Sequence, residues 1–359
     1  MRIVVKLGTK LLTKEGGLLD EKSIERITGD IGSLIDAGHE VIVVSSGAIG
    51  AGCGMLKIGP AELYLRQKQA IASIGQTELM DVFKKYFKKQ DRLVGQILIT
   101  SSDLSSRQGY LNIRNTIFTL LDMKVVPVIN ENDTVAVEEL KLGDNDKIAG
   151  IVTAKVDADK LIILTDVEGL FDDKGRLVKE VKEVNRKIYN YAKDKGSELS
   201  VGGMMTKLHA AKKLIKLCGA DMYLADGKKE GVLKSIADGN NPGTIFIAGD
   251  KVISRRKRWI AYGSEPRGKV FLDKGAVDAL VVKKTSLLPV GVSGVRGSFS
   301  RGDLVSCVDE QGNEVARGLT NYSSREIDKI AGVRSSEIKE KIGYMDYEEV
   351  IHRDNLVVV

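Results

Sequence analysis

The chain has 359 residues, of which 43% are hydrophobic and 29% are charged, and its formal net charge is +6. This composition is that of an ordinary folded protein, and it excludes a disordered or fibrous chain. Because a single hydrophobic core seldom grows beyond about 250–300 residues, the length favours two domains.

The three cysteines and three histidines are scattered along the sequence. They form no C-x-x-C pair and no zinc-ligand spacing, so we expect neither a disulfide framework nor a metal site. The first residues reach a lysine and glycines too early for a signal peptide, and no apolar stretch approaches the length that spans a membrane. We therefore expect a cytoplasmic protein without a membrane segment.

The first 247 residues alternate short β-branched runs with helical patterns. The predicted strands are 3–7, 41–44, 93–100, 124–129, 161–164 and 222–225, and the predicted helices are 21–37, 60–89, 107–122, 144–156, 203–218 and 230–237. This rhythm predicts the α/β class, as a three-layer αβα sandwich around a mostly parallel central sheet. Ligands of such a sheet bind at the carboxyl ends of its strands.

After about residue 265 the pattern changes to short strands between glycine turns. The predicted strands are 269–272, 279–282, 291–295, 303–308 and 314–319, with helices at 323–331 and 335–340. We interpret this part as a small β domain of the barrel type. The expected division of the chain is a first domain, a basic linker, a β domain and a C-terminal tail, at residues 1–247, 248–267, 268–345 and 346–359.

Glycines follow the first two predicted strands, at the place where a phosphate would be held. Gly8 follows the first strand and Gly47 the second. A glycine lets backbone N–H groups approach an anion closely, and a helix that follows adds its positive end. The alternative is a tight turn that binds nothing, and short glycine patterns do not decide between the two.

A third glycine pair, Gly202-Gly203, is predicted to precede the helix at 203–218, with Lys207 in its first or second turn. The positive end of a helix disfavours a lysine, and a bound polyphosphate would reverse that penalty; a plain surface lysine is the alternative. No P-loop or dinucleotide fingerprint is present. A kinase of another architecture still needs cations around the transferred phosphoryl group, and Lys6 and Lys207 can supply them.

Polar clusters lie beside buried strands. Two of them are Asn130-Glu131-Asn132-Asp133 and Gly143-Asp144-Asn145-Asp146. Carboxylates and amides packed so densely either bind a charged ligand or stay unpaired at a high desolvation cost, so we interpret them as a site. Thr165 and Asp166 end another strand, where they suit a nucleotide or form only a turn.

Together these motifs resemble the amino acid kinase family, and within it the members that phosphorylate glutamate. The motifs follow the family's order over residues 1–247, and the part after about 265 resembles a PUA domain, an RNA-associated β module. They are Val4-Val5-Lys6-Leu7-Gly8-Thr9, Val44-Ser45-Ser46-Gly47-Ala48-Ile49, Asn130-Glu131-Asn132-Asp133, Gly143-Asp144-Asn145-Asp146, Leu164-Thr165-Asp166-Val167-Glu168-Gly169-Leu170 and Gly202-Gly203-Met204-Met205-Thr206-Lys207.

The resemblance implies ATP-dependent phosphorylation of the γ-carboxylate of L-glutamate to L-glutamyl 5-phosphate, the first step of L-proline biosynthesis, with ATP and Mg²⁺ as cofactors. By motif match, Lys6 and Lys207 stabilise the transferred phosphoryl group, and Asp146 orients both lysines. The glutamate-binding residues are then Ser46, Asp133 and Asn145. The ATP-binding residues are Lys6, Gly8, Gly47, Thr165, Asp166, Val201, Gly202, Gly203, Met204, Met205, Thr206 and Lys207. No residue is assigned to a metal.

The nucleotide loop departs from the family pattern at one place. Ser200-Val201 stands where the family has Gly-Thr, which leaves the contact at Val201 open. Relatives are commonly inhibited by proline, and no residue pattern here establishes that response. A symmetric homo-oligomer, either a dimer or a tetramer, is expected for an enzyme of this kind.

Two other hypotheses compete. Other members of the family phosphorylate aspartate, acetylglutamate, carbamate or UMP, but the clusters at 130–133 and 143–147 and the C-terminal module favour glutamate. The chain can also be chiefly an RNA-binding or RNA-modifying protein. Its mild charge and 5% aromatic residues argue against RNA as the main function, while leaving RNA binding by residues 268–345 as a hypothesis.

Overall fold

The structure, a computed structural model, describes residues 1–59, 63–105, 107–135, 145–193, 198–249, 260 and 266–359. The chain divides into two compact units, Met1–Val252 and Ile253–Val359. Most of the basic linker predicted at 248–267 lies outside the described residues. In the part that is described, no helix is both long and apolar enough to cross a membrane.

A mostly parallel sheet forms the centre of the first unit. Its described strands are β1 (Arg2–Leu7), β2 (Glu40–Ser45), β3 (Val94–Ile99), β4 (Val126–Glu131), β5 (Lys160–Thr165), β6 (Glu180–Val181), β7 (Asp221–Asp226) and β8 (Thr244–Phe246). They pair in the order β3-β4-β2-β1-β5-β7-β8-β6. Among these described pairs, only β7 and β8 run antiparallel.

Helices connect these strands and pack on the sheet. Those described are α1 (Thr9–Leu12), α2 (Glu21–Asp36), α3 (Ala48–Leu56), α4 (Leu65–Lys88), α5 (Ser101–Ser105), α6 (Arg107–Asp122), α7 (Asn145–Lys155), α8 (Arg186–Lys193), α9 (Glu198–Leu217) and α10 (Val232–Ala237). The predicted α/β architecture is confirmed. The predicted helix at 60–89 corresponds to α4, whereas α3, in the glycine-rich segment after β2, was not predicted.

The central strand β1 shows how the sheet positions a functional side chain. Successive side chains of a strand point to opposite faces. Ile3, Val5 and Leu7 join the apolar core that also includes residues of α2 and α4. Lys6 therefore points to the other face, where α7 packs against β1. Lys6, a buried lysine near the end of this strand, is thus directed toward helix α7.

The second unit contains its own sheet. Its described strands, β9 (Gly268–Leu272), β10 (Val292–Gly297), β11 (Leu304–Val308), β12 (Glu314–Leu319) and β13 (Leu356–Val358), pair in the order β10-β9-β11-β12-β13, with a bulge in β10 between Val292 and Gly294. Its helices are α11 (Lys274–Val281), α12 (Ser324–Ile330) and α13 (Ile338–Ile342). A separate apolar core that contains the fully buried side chains of Cys307, Tyr322 and Ile351 holds this unit together.

Two expectations for this unit need correction. The predicted strand at 279–282 falls mostly in helix α11, which begins after Asp273, whose Oδ1 accepts the N–H of Ala276 at 2.7 Å. This cap fixes the start of the helix, and Ala276 and Leu280 then face the core with helical spacing. The segment 346–359, expected as a separate tail, supplies β13, which pairs with β12.

Candidate active site

The centre of the site is a buried carboxylate that binds two lysines. Asp146 lies in the first turn of α7 and is fully buried. Its Oδ1 is 2.6 Å from Nζ of Lys6 on β1, and its Oδ2 is 2.8 Å from Nζ of Lys207 on α9. Three distant segments of the sequence thus meet at one side chain.

Electrostatics keep this carboxylate ionised. Burial by itself would raise the pKa of Asp146, but the charges and hydrogen bonds of Lys6 and Lys207 outweigh burial and hold the pKa below its usual value. With both lysines protonated, the three groups carry a net charge of +1. The surplus positive charge makes this place suitable for an anion.

Lys207 occupies a different place in its helix from the one predicted. Helix α9 begins at Glu198, so Gly202 and Gly203 lie inside the helix and Lys207 lies in its third turn. Each glycine costs a helix roughly 1 kcal/mol relative to alanine, which tertiary packing can override. Asp146 and the carbonyl oxygen of Gly203, 3.0 Å from Nζ, hold the lysine. Lys207 therefore lies beyond the first turn, where the positive end of the helix dipole acts.

Two cavities meet at this centre. The first has a volume of about 770 Å³ and the second about 360 Å³. Lys6 and Thr9 line both cavities, so β1 and the start of α1 form their common wall. Lys207 lines only the second cavity. A group that passes from one cavity to the other must cross beside the Lys6 ammonium.

The first cavity contains the residues that were predicted to bind the amino-acid substrate. Ser46, Asp133 and Asn145 all line it. Asn145 Nδ2 donates a hydrogen bond to Ser46 Oγ at 2.9 Å. Burial raises the pKa of Asp133, which is the mark of a carboxylate held away from water on the cavity wall.

Gly47 also lies in this first cavity, not in the second where the ATP-binding prediction requires it. Gly47 has a φ of +107° and caps helix α3, and Ala48, Ile49 and Gly50 of that helix line the same cavity. A helix N-terminus presents N–H groups to an anion. This end of the cavity is suited to a carboxylate or to a phosphoryl group that arrives from the other side.

The second cavity contains most of the predicted nucleotide-binding residues. Its walls include Gly8, Thr165, Asp166, Gly203 and Met204 in addition to the two lysines. Its volume lies within the usual range for ligand pockets, about 300–1,000 Å³, and lysines and glycine backbone suit a polyphosphate. Mg²⁺ bound to a nucleotide needs only one or two protein carboxylates, and Asp166 is the carboxylate on this wall.

Two contacts limit the roles predicted for these residues. The N–H of Gly8 donates to the carbonyl oxygen of Leu164 at 3.2 Å, so it is engaged and not directed at a phosphate. Asp166 pairs with Lys10 at 3.1 Å. Burial favours a higher pKa for Asp166, but the Lys10 ion pair and local hydrogen bonds lower the pKa overall.

Other predicted residues lie elsewhere. Met205 and Thr206 are on α9 but are not among the residues that line these two cavities. Thr206 Oγ1 instead lies 3.4 Å from Asp146 Oδ2. Val201 and Gly202 belong to α9, but the surroundings of these two residues lie outside the described part of the structure. Gly143 and Asp144 lie outside the described residues altogether. No group of three or more His, Cys, Asp or Glu placed to hold a metal occurs among the described residues.

Comparison with known proteins gives a consistent result. The profile of the amino acid kinase family matches residues 1–226, and that of the PUA domain matches residues 268–342. A glutamate 5-kinase from Caldanaerobacter subterraneus subsp. tengcongensis is 47% identical over 368 residues, which cover 100% of this chain and 98% of the relative. The chain belongs to the glutamate 5-kinases of the amino acid kinase family. A glutamate 5-kinase from Trichlorobacter lovleyi is 44% identical and also covers 100% of the chain and 96% of its own length.

The fold of the first unit agrees with this family. The structure of a carbamate kinase from Giardia superposes with a TM-score of 0.50 over 69% of this chain and 99% of its own, at 18% sequence identity. At that identity the likeness concerns the fold alone.

Two residues of the site were not assigned by the family motifs. Thr9 lies on the common wall of both cavities, and Glu131 is a buried carboxylate on the wall of the first. Both stand inside quoted motifs, Thr9 directly after Gly8 and Glu131 at the end of β4. Their position at the carboxyl end of central strands was the available signal.

Proposed function

We propose that this chain transfers the terminal phosphoryl group of ATP to the γ-carboxylate of L-glutamate and so makes L-glutamyl 5-phosphate, the first step of L-proline biosynthesis. Family membership supports the reaction. The observation that carries the residue roles is the Asp146 carboxylate with Lys6 and Lys207, where the two cavities meet. We assign the reaction to residues 1–247, as the catalytic domain.

The first cavity binds glutamate. The carboxylate of Asp133 pairs with the α-ammonium group, which a carboxylate in a poorly hydrated place attracts strongly. Asn145 Nδ2 donates to Ser46 Oγ and so holds the Ser46 hydroxyl in place on the same wall. Ser46 and the N-terminus of α3 donate hydrogen bonds to the carboxylates.

The second cavity binds the nucleotide through Thr165, Gly203 and Met204, with Asp166 near the metal. MgATP supplies the phosphoryl group. Lys6 and Lys207 lie on either side of Asp146 and neutralise the negative charge on the oxygens of the group in transit. Asp146 fixes the positions of both ammonium groups before any ligand arrives, so no reorganisation is needed in the transition state.

No general base is required in this mechanism. A γ-carboxylate is ionised at neutral pH and is itself the nucleophile. The rate then depends on holding the two reacting groups in line and on stabilising charge. This accounts for a site in which lysines, carboxylates, amides and hydroxyls bind and orient the reacting groups.

The test is MgATP-dependent hydroxamate formation in the presence of hydroxylamine, with L-glutamate, L-aspartate and N-acetyl-L-glutamate compared as acceptors. We expect product with L-glutamate and a fall in kcat of roughly 10²–10³-fold in Lys207→Ala, the usual loss for one transition-state donor. Lys212→Ala, an exposed lysine on the same helix, is the matched control and keeps wild-type kcat. Folded wild-type protein that leaves glutamate unmodified contradicts the proposal.

We also propose that the second unit, over residues 268–345, binds RNA. Support comes from the match to the PUA domain at 268–342. Retention of labelled RNA on a filter should weaken as NaCl rises from 50 to 200 mM, since phosphate contacts release counterions. Absence of retention at the lower salt concentration would reject RNA binding.

Assembly and location complete the proposal. We propose a symmetric homo-oligomer, for which exposed Met55, Leu56, Ile58 and Tyr64 provide apolar surface. A cytoplasmic location suits the three buried free thiols of Cys53, Cys218 and Cys307. Light scattering of the purified protein measures the assembly directly.

A further inference from the structure

A chain of amide side chains connects helix α4 to the first cavity. Gln76 is buried in the middle of α4, and its Oε1 accepts a hydrogen bond from Asn130 Nδ2 at 2.7 Å. Asn130 Oδ1 accepts in turn from Asn145 Nδ2 at 3.1 Å. Asn145 then reaches Ser46, as described above. Gln76 itself is not among the residues that line either cavity.

One backbone group fixes the direction of every hydrogen bond in this chain. The N–H of Glu131 donates to Asn130 Oδ1 at 2.8 Å. A backbone N–H can only donate, so the Asn130 oxygen must face Glu131 and Asn145, and its NH₂ group must face Gln76. Asn145 therefore presents its NH₂ group to both Asn130 and Ser46.

Gln76 is the acceptor that makes this arrangement stable. If its oxygen is removed, Asn130 Nδ2 becomes a buried donor without a partner, which costs about 1–3 kcal/mol. Without an acceptor on that side, the Asn130 side chain is no longer held in this orientation, and a shift of its oxygen weakens the hydrogen bond from Asn145 Nδ2. The Asn145 side chain then loses the orientation in which its NH₂ group holds Ser46 Oγ.

We propose that Gln76 is a positioning residue for the amino-acid substrate, and that it acts through Asn130 to hold the Asn145 side chain, and with it the Ser46 hydroxyl, in place on the wall of the first cavity. This inference rests on the proposed function, because it assumes that the first cavity binds glutamate. Its effect is confined to that cavity. Asp146, next to Asn145 in α7, is held independently by Lys6 and Lys207.

The close packing of helix α4 against α3 explains how Gln76 reaches Asn130. A Cβ atom on Gly75 would lie 1.9 Å from the carbonyl oxygen of Ala48. The glycine allows the two helices to approach to backbone contact. This close approach brings the next residue, Gln76, within hydrogen-bond distance of Asn130 near the end of β4.

The experiment compares Gln76→Met with Gln76→Glu in the hydroxamate assay. Methionine has a similar volume but no oxygen, and we expect the KM for glutamate to rise about tenfold while the KM for ATP stays within twofold. The Gln76→Glu side chain retains a carboxyl oxygen that accepts from Asn130, and we expect a KM for glutamate within threefold of wild type. Equal rises in both KM values, or a Gln76→Glu variant as impaired as Gln76→Met, would overturn the inference.

A double-mutant cycle with Asn130→Ala tests the route. Because Gln76 acts through Asn130, adding Gln76→Met to Asn130→Ala should leave the KM for glutamate unchanged, whereas independent effects would multiply. Multiplied effects reject the proposed route. Gln76→Leu replaces Gln76→Met if the latter does not fold, as judged by thermal unfolding.

Glutamate binding to each variant, measured by calorimetry without ATP, separates the two proposals. If wild-type protein binds no glutamate, the proposed function fails and the inference fails with it. If wild type binds glutamate and Gln76→Met binds it equally well, only the inference fails.

Discussion

Asp133 is a partly buried carboxylate on the wall of the first cavity, and burial raises its pKa above the ordinary value near 3.8. A carboxylate with a raised pKa takes up a proton at higher pH than an exposed one, and it then loses its attraction for an ammonium group. We expect the KM for glutamate to rise as pH falls through this raised pKa. Asp133→Asn should have a high KM for glutamate that no longer changes over that pH range.

The same shift has a consequence for stability. A carboxylate whose pKa is higher in the folded state than in the unfolded state destabilises the fold above the folded pKa, where it must ionise while partly buried. Asp133→Asn should therefore raise the midpoint of thermal unfolding at pH 7 while it weakens glutamate binding. A lower unfolding midpoint in the variant would show that Asp133 is held by interactions that offset its burial.

Some residues of the site could be predicted from the sequence, and others could not. The sequence motifs singled out Lys6, Asp146 and Lys207, and the structure brings them together. Gln76 was not recognised, although it lies on the apolar stripe of α4 that includes Ala72, Leu79 and Phe83. One amide on such a stripe is a signal of a buried hydrogen bond, but only the three-dimensional structure shows that its partner is Asn130.

At the scale of elements, the contact between α3 and α4 depends on two glycines. Added Cβ atoms would lie 1.9 Å from the Ala48 oxygen at Gly75 and 2.2 Å from the Ile71 oxygen at Gly52. Neither oxygen can move without its helix. Gly75→Ala should therefore lower the free energy of unfolding by about 1–3 kcal/mol, as overpacking usually does, measured by urea titration.

Gly29 of α2 is the matched control for this prediction. It has no heavy atom within 4 Å of an added Cβ, and alanine is a better helix former than glycine by roughly 0.5–1 kcal/mol. Gly29→Ala should stabilise the protein. If both substitutions stabilise it equally, the contact between α3 and α4 is looser than described.

Elements were predicted well where one periodicity dominated and poorly where two signals competed. Six strands of the first unit were placed within a few residues from their largely apolar runs, whereas the short strands β6 and β8 were not predicted. The end of helix α11 was taken for a strand because Val281, its last residue, is followed by Val282, and valines favour strands. The cap at Asp273, which fixes the start of the helix, is a local hydrogen bond that β propensity does not register.

At the scale of the whole molecule, each unit has an apolar core of its own. We expect calorimetry to resolve two unfolding transitions, as separate cores unfold independently. Glutamate and ATP should raise the midpoint temperature of the first unit's transition only. Each bound ligand adds RT ln(1 + [L]/Kd) to the free energy of unfolding of that unit, or about 2.7 kcal/mol at a hundredfold excess over Kd.

Gly75→Ala identifies the transition of the first unit, since it perturbs only that core. A single transition that moves as one with ligand would contradict independent units. The sequence predicted two domains from length and from the change in pattern. It missed that the final residues return to pair with β12, because a three-residue strand carries too little pattern to be recognised.

The order of strands in the second sheet has a consequence for the behaviour of concentrated protein. Its outermost described strands are β10 and β13, and an outer strand is a template on which another copy can add by backbone pairing. β13 is only three residues long, and β10 is interrupted by its bulge. Both edges are therefore poor templates, which protects the sheet against aggregation through strand addition.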